Sequence, residues 1–237
     1  MKLLRRSKKQ ETIEIPGLIL PLPDGTPVRQ FPASFIDNMR AMINRVERNE
    51  TIPQRLAVVS ALRAEGVSHI CLALATTLAH DTTKKVCVVD LNWWWPSNVV
   101  DDENPGLAGV ISGEASLEEV ITPSGWSNLA FVSAGNVQQG LRPVMARSSI
   151  LKDILEELSQ KYDHLILDIP AILATSDAIP LASLADACCV VVQHGITTTE
   201  DISSALDEVA HMKILGVIMN RVKLSTPEKI LKYIPIK

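Results

Sequence analysis

Four apolar runs in this chain end on residues able to bind phosphate, metal or protons. Ser60 closes LAVVS, Asp90 closes VCVVD, Asp168 closes HLILD and Asn220 closes ILGVIMN. After the first run comes Ala61-Leu62-Arg63-Ala64-Glu65-Gly66-Val67-Ser68-His69, a turn that leads into the apolar stretch ICLALATTLA. Strand, turn and helix in this order are the layout of a phosphate-binding loop, in which backbone N–H groups and the helix N-terminus face the anion. Val67 stands where such a loop keeps its lysine. Turns favour Asp and Asn at strand ends whatever the function, so one such residue means little. Four of them, with a loop-to-helix turn after the first, point to a ligand site beyond the carboxyl ends of a parallel sheet.

The elements that must position these residues follow from the hydrophobic pattern. Strands are expected at 56–60, 86–90, 129–133, 164–168, 187–193 and 214–220, most of them near-continuous apolar runs of the kind buried on both faces. Between them SSILKDILEELSQKY places Ile150, Leu151, Ile154, Leu155 and Leu158 on one helical face. Thr197 and Glu200 have capping-box spacing ahead of a later helix, and Ser34 is expected to cap a helix carrying Phe35, Met39, Met42, Ile43 and Val46 on one side. The alternation predicts an α/β fold with a mainly parallel β-sheet and helices on both faces. Residues 1–32 differ: Lys2, Arg5, Arg6, Lys8 and Lys9 precede five prolines, which predicts an extended arm without sheet pairing, ahead of one α/β domain over 33–237.

Bulk composition narrows the class. The chain has 237 residues, 46% hydrophobic and 21% charged, with a net charge of −4. That balance fits a globular domain and offers no basic field for nucleic acid, so none is expected as a partner. No apolar run is long enough to span a bilayer, and no signal peptide is legible, so the expectation is a cytoplasmic protein. Cys71, Cys87, Cys188 and Cys189 lie in apolar surroundings without metal-ligand spacing and read as buried thiols. No G-x-G-x-x-G follows the first strand, which argues against a dinucleotide fold.

The run from Ser60 to His69 resembles the first motif, S-A-x-P-G-E-G-K-S-T, of the bacterial tyrosine kinases of capsule and exopolysaccharide synthesis. Those kinases belong to the P-loop NTPases with deviant loops, the partitioning and cell-division-site ATPases. VCVVDLNWWWPS is similar to the second motif, V-D-A-D-x-R-R-P, and YDHLILDIPAI to the third, Y-D-x-V-I-I-D-T-P-P. GLAGVISGEASLEEVI and GVIMNRV are similar to further segments, in order from about residue 34 to 222.

The resemblance implies ATP or ADP and Mg2+ as cofactors. Ala64, Glu65, Gly66, Val67, Ser68 and His69 would form the nucleotide loop, with Asn220 and Arg221 framing the adenine. Ser68 and Asp168 would hold the metal, and Asp90, Asn92 and Asp168 occupy the catalytic positions. The departures fall on the chemistry. Val67 removes a charge-assisted hydrogen bond worth about 1.5–3 kcal/mol. Ala64 replaces a glycine, and at positive φ that costs on the order of 1 kcal/mol. Asn92 replaces an aspartate and cannot serve as a general base.

Trp93, Trp94 and Trp95 stand where the family has x-R-R, which implies either a partner interface or rings filling the nucleotide cleft. Of the oligomerisation motif E-x-x-R-x-x-R, only Arg40 is kept, with Asp37 for the acid, and of the tyrosine-rich tail only Tyr233 remains. The expectation is a catalytically degenerate member acting as a regulatory or scaffold subunit in exopolysaccharide synthesis. It would assemble with itself or an active paralogue and, at the inner face of the membrane, with a polysaccharide co-polymerase. The alternatives are an active ATPase or tyrosine kinase with a non-standard loop, in which Arg63 replaces the lysine, and a partitioning-type positioning ATPase.

Overall fold

A computed structural model describes residues 17–49, 51–97 and 104–222. The basic run at 2–9 and Tyr233 lie outside the described residues. Nine strands and eight α-helices occur among the described residues, in the order β1 (Ile19–Pro21), β2 (Pro27–Gln30), α1 (Ala33–Asn49), β3 (Arg55–Ser60), α2 (Val67–Asp81), β4 (Val86–Asp90), α3 (Gly106–Ser112), α4 (Leu117–Val120), β5 (Ile121–Pro123), β6 (Leu129–Val132), α5 (Arg142–Ala146), α6 (Ser149–Lys161), β7 (His164–Asp168), α7 (Ala178–Ala182), β8 (Ala187–Gln193), α8 (Thr199–Glu208) and β9 (Ile214–Asn220).

Seven strands form one sheet in the order β5-β6-β4-β7-β3-β8-β9, parallel throughout except for β5, which runs antiparallel to β6 at one edge. This is the expected α/β fold. The six strands read from the sequence are all present, because each is an apolar run that only a sheet covered on both faces can bury. Alternation along the strands sends Val58, Ile166 and Val191 to the face covered by α1 and α2, and Ala57, Val59, Leu165 and Leu167 to the opposite face with α3 and α6. Helix α2 is buried almost all round, from Ile70 to Ala79. A helix apolar on every side needs a second layer outside it, and α1 supplies that layer through Ile36, Met39 and Ile43.

Three local expectations are corrected. The proline-rich stretch was expected to stay unpaired, yet β1 and β2 form an antiparallel hairpin. Pro21 and Pro27 sit at its ends, where a missing N–H costs no ladder bond, and the turn uses Gly25 at φ +85° with Thr26 N–H donating to Asp24. Leu20 and Phe31 are 0% exposed and belong to the α1–α2 core, so residues 17–32 pack as part of the domain. Ser34 is not a cap: α1 begins at Ala33, and the Pro32 carbonyl already accepts from Phe35 and Ile36. The cap of α8 also shifts by one, from Thr197 and Glu200 to Thr198 and Asp201, which complete a capping box.

All four cysteines are buried and free. Burial pushes the Cys188 thiol up to about 11 and Cys189 to about 12, as expected of inert core thiols. No helix of the described residues is long and apolar enough to cross a membrane.

Candidate nucleotide site

Strand β3 lies between β7 and β8, but the chain leaving it crosses through α2 to β4 on the far side of β7. That crossover opens a crevice at the carboxyl edge, where ligands of such sheets bind. The register brings the strand-terminal residues to this edge: Asp90 pairs with Asp168, Ser60 with Val191, and Gln193 with Asn220. A cavity of about 410 Å3 occupies the place, lined by the loop from Arg63 to His69, by Asn92 and Trp95 after β4, and by Ile169 and Arg221. This is within the usual size of a small-molecule site.

The loop is held from behind. Glu65 is 1% exposed, and its carboxylate accepts from the N–H of Leu62 at 2.8 Å, from the N–H of Gln193 and from the hydroxyl of Thr197. Asn220 Nδ2 donates to the Glu65 carbonyl at 2.8 Å. Arg221 donates to the Ala64 carbonyl and to the Gln193 side chain at 3.1 and 2.8 Å. Ala64 at φ +63° and Gly66 at φ +97° make the bend, so the loop keeps its turn even though Ala64 stands for a glycine. A Cβ at Gly66 would lie 2.3 Å from Asn220 Nδ2.

The bend delivers the N-terminus of α2 to the cavity. Gly66 is its N-cap and offers no side chain, so the N–H groups of Val67, Ser68 and His69, which have no partner within the helix, face the ligand space. Val67 itself turns inward: it is 9% exposed and packs with the α1–α2 core.

The strand ends beneath the site are acidic. Asp90 accepts from the N–H groups of Asn92 and Ser97 at 2.8 and 2.9 Å and from the Ser97 hydroxyl at 2.9 Å. Burial nevertheless raises its pKa above the ordinary carboxylate value. Asp168 is more perturbed: burial, then the charge of Asp90, push its pKa well up, with only the Ser68 hydroxyl acting the other way. One Asp168 oxygen, Oδ1, is buried without any hydrogen-bond partner. An orphaned hard oxygen beside a serine hydroxyl is the donor pair a magnesium ion takes, so these residues fit the metal.

Several residues expected to touch nucleotide have other work. The carboxylate of Glu65 and the amide of Asn220 anchor the loop to β8 and β9, and neither is free to frame a base. The His69 imidazole lies 5.2 and 5.0 Å from the Phe31 and Phe35 rings, and burial lowers its pKa, so only its backbone N–H serves the site. Arg221 lines the cavity while bracing the loop. Asn92 accepts from the Trp95 N–H at 3.1 Å and shapes the turn after β4.

The tryptophans divide. Trp93 is 2% exposed, with its indole N–H on the Ala134 carbonyl at 2.7 Å, so it is core and not interface. Trp94 is half-buried against Trp93, with Arg142 5.9 Å from its ring. Trp95 faces the cavity, its ring 3.8 Å from the Arg63 guanidinium. Arg40, also expected at an interface, is bound within its own chain to Asp81 at 2.7 Å and to Asp37 at 3.1 Å. The loop anchors Gln193 and Thr197, and Ser97, which holds Asp90, were not legible as such in the sequence. The acid at Glu65, in a turn that had to be buried to reach the cavity, was the one available signal that such partners existed.

Residues 66–220 match the AAA domain family AAA_31. The chain is 30% identical over 166 residues to the tyrosine-protein kinase ptk of Acinetobacter johnsonii, covering 68% of this chain and 22% of that protein. It is 30% identical over 173 residues to the tyrosine-protein kinase YwqD of Bacillus subtilis, covering 71% of this chain and 72% of that one. The succinoglycan biosynthesis transport protein ExoP of Rhizobium meliloti is 27% identical over 72% of this chain and 22% of its own length. The chain thus spans about a fifth of two of these relatives and most of the third. Among solved structures, the septum site-determining protein MinD of Pyrococcus horikoshii, complexed with Mg-ADP, superposes with a TM-score of 0.57 at 23% identity, over 77% of each chain. By its family match and its likeness to YwqD, the chain belongs to the AAA_31 family of P-loop NTPase fold, among the bacterial tyrosine-protein kinases.

Proposed function

We propose that this protein is a non-phosphorylating member of its family that holds a magnesium nucleotide weakly. In this reading it serves as a regulatory or scaffold subunit of capsule or exopolysaccharide assembly, beside an active paralogue or a membrane polysaccharide co-polymerase. The observation that carries the reading is Val67. Its side chain packs into the core at the position where the family's loop presents lysine, so the loop supplies no ammonium to charge developing on a transferred phosphoryl group. The likeness to ExoP supports the polysaccharide setting.

The binding half of the reading rests on what remains. The N–H groups of Val67, Ser68 and His69 can receive an anion, and the Ser68 hydroxyl and Asp168 Oδ1 can hold the metal. Magnesium, when bound, neutralises phosphate charge. Asp90, fixed by Ser97 and the Asn92 N–H, keeps negative charge beside Asp168, while Asn92 carries none and cannot take a proton from a nucleophile.

Incubation of the purified protein with magnesium-ATP tests this. The expected result is no phosphate release and no phosphotyrosine above background, with a melting temperature a few degrees higher at saturating nucleotide. Turnover abolished by Asp168→Ala would overturn the reading in favour of a residual ATPase or kinase, which the position of Arg63 favours.

A further inference from the structure

We propose that Arg63, seated on Trp95, is the phosphate-binding cation of this site and sets its preference for nucleoside diphosphates and triphosphates over monophosphates. The inference rests on the nucleotide-binding half of the proposed function.

Arg63 occupies the place where the resembling loops have proline, and it points across the mouth of the cavity to the segment after β4. Its guanidinium lies 3.8 Å from the centroid of Trp95, within stacking and cation–π range. A guanidinium stacked in this way keeps its N–H groups at its edge, free for a bidentate contact with phosphate. Among the described residues Arg63 has no hydrogen-bond acceptor and no carboxylate partner, in contrast to Arg221, which is committed to the Ala64 carbonyl and Gln193.

The charge inventory of the cavity points the same way. Asp90 and Asp168 end the two strands beneath it, Val67 is neutral and packed in the core, and the His69 ring is held against the Phe31 and Phe35 rings. An anionic ligand entering such a site requires a cation, and Arg63 is the cavity-lining arginine whose donors are all unspent among the described residues, whereas Arg221 spends Nη1 on bracing the loop. Trp95 makes the assignment specific: Asn92 accepts its N–H and fixes the turn, so two departures from the resembling motifs, at 92 and at 95, combine to seat a third at 63.

The test is calorimetric titration of the intact protein with magnesium-ADP and with magnesium-AMP, for the native chain, Arg63→Gln, Arg63→Lys and Trp95→Leu. Arg63 is exposed and makes no hydrogen bond among the described residues, so Arg63→Gln should fold normally, and its circular dichroism and melting temperature check that. The expected result is ADP affinity at least tenfold lower in Arg63→Gln, with the ADP-to-AMP preference reduced, partial recovery in Arg63→Lys, and an intermediate loss in Trp95→Leu. Native binding of ADP that Arg63→Gln leaves unchanged would overturn the assignment of Arg63 while keeping the nucleotide site. No binding of ADP by the native chain would overturn the nucleotide-binding reading itself, and this inference with it.

Discussion

Asp90 and Asp168 are register partners on adjacent parallel strands, and only the first has its carboxylate fully engaged. Burial and the Asp90 charge raise the Asp168 pKa, so the folded state binds a proton more tightly than the unfolded chain. Stability from this group is therefore present at low pH and falls as pH rises from the ordinary aspartate value through the raised one. Asp168→Asn removes the titration. In metal-free buffer its melting temperature should exceed that of the native chain at pH 8, with the gap closing toward pH 4. Relieving one unpaired buried charge is worth about 1–3 kcal/mol, or roughly 2–4 °C per kcal/mol in a domain of this size. Thermal scans across pH check this, and equal melting temperatures at pH 8 would contradict it.

Val67→Lys exchanges a core contact for a loop cation. The lysine should raise magnesium-ADP affinity by about 10- to 150-fold, the equivalent of a charge-assisted hydrogen bond of roughly 1.5–3 kcal/mol. Val67 is nearly buried beside Ile70 and Phe31, so stability should drop by about 1–2 kcal/mol in the absence of ligand. Titration and melting of the same sample measure both effects. Tighter binding without turnover would show that Asn92 and the strand ends beneath the site also limit the chemistry.

The two residues of the bend respond unequally to substitution. Ala64→Gly relieves a left-handed alanine worth on the order of 1 kcal/mol but adds chain entropy of about 0.4–1 kcal/mol to the unfolded state. The melting temperature should shift by no more than about 2 °C. Gly66→Ala combines positive φ with a Cβ against the Asn220 amide, which must break its bond to Glu65 to make room. A loss of about 2–3 kcal/mol is expected in chemical denaturation.

Thr197→Val leaves the buried Glu65 carboxylate short of its hydroxyl donor. Stability should fall by about 1–3 kcal/mol. Glu65→Gln in the same background should not recover it, because in either orientation the amide NH2 faces a backbone N–H, that of Leu62 or that of Gln193. Urea unfolding of the single and double variants forms the cycle.

The sheet was legible in the sequence because each strand is an apolar run that has no alternative fate, and so was the position of the loop between Ser60 and α2. What could not be read was the direction in which a polar side chain points. Glu65 and Asn220 stand in the motif, but their partners, Gln193, Thr197 and the Glu65 carbonyl, are more than a hundred residues away or created by the turn itself. Of the two places considered for the three tryptophans, an interface and the cleft, only Trp95 takes the cleft; that Trp93 would be core and Trp94 half-covered was not legible, because a turn after a strand rotates each side chain separately. The hairpin of β1 and β2 was hidden by its prolines, which bar a central strand but not the ends of a two-stranded one.

That hairpin has a mechanical consequence. Leu20 and Phe31 anchor it in the core, Gly125 binds the Pro21 carbonyl, and the Phe31 and Phe35 rings clasp His69 in the first turn of α2. The clasp ends on the first turn of α2, whose N–H groups face the cavity, so the seat of the hairpin and the shape of the anion-facing turn are coupled.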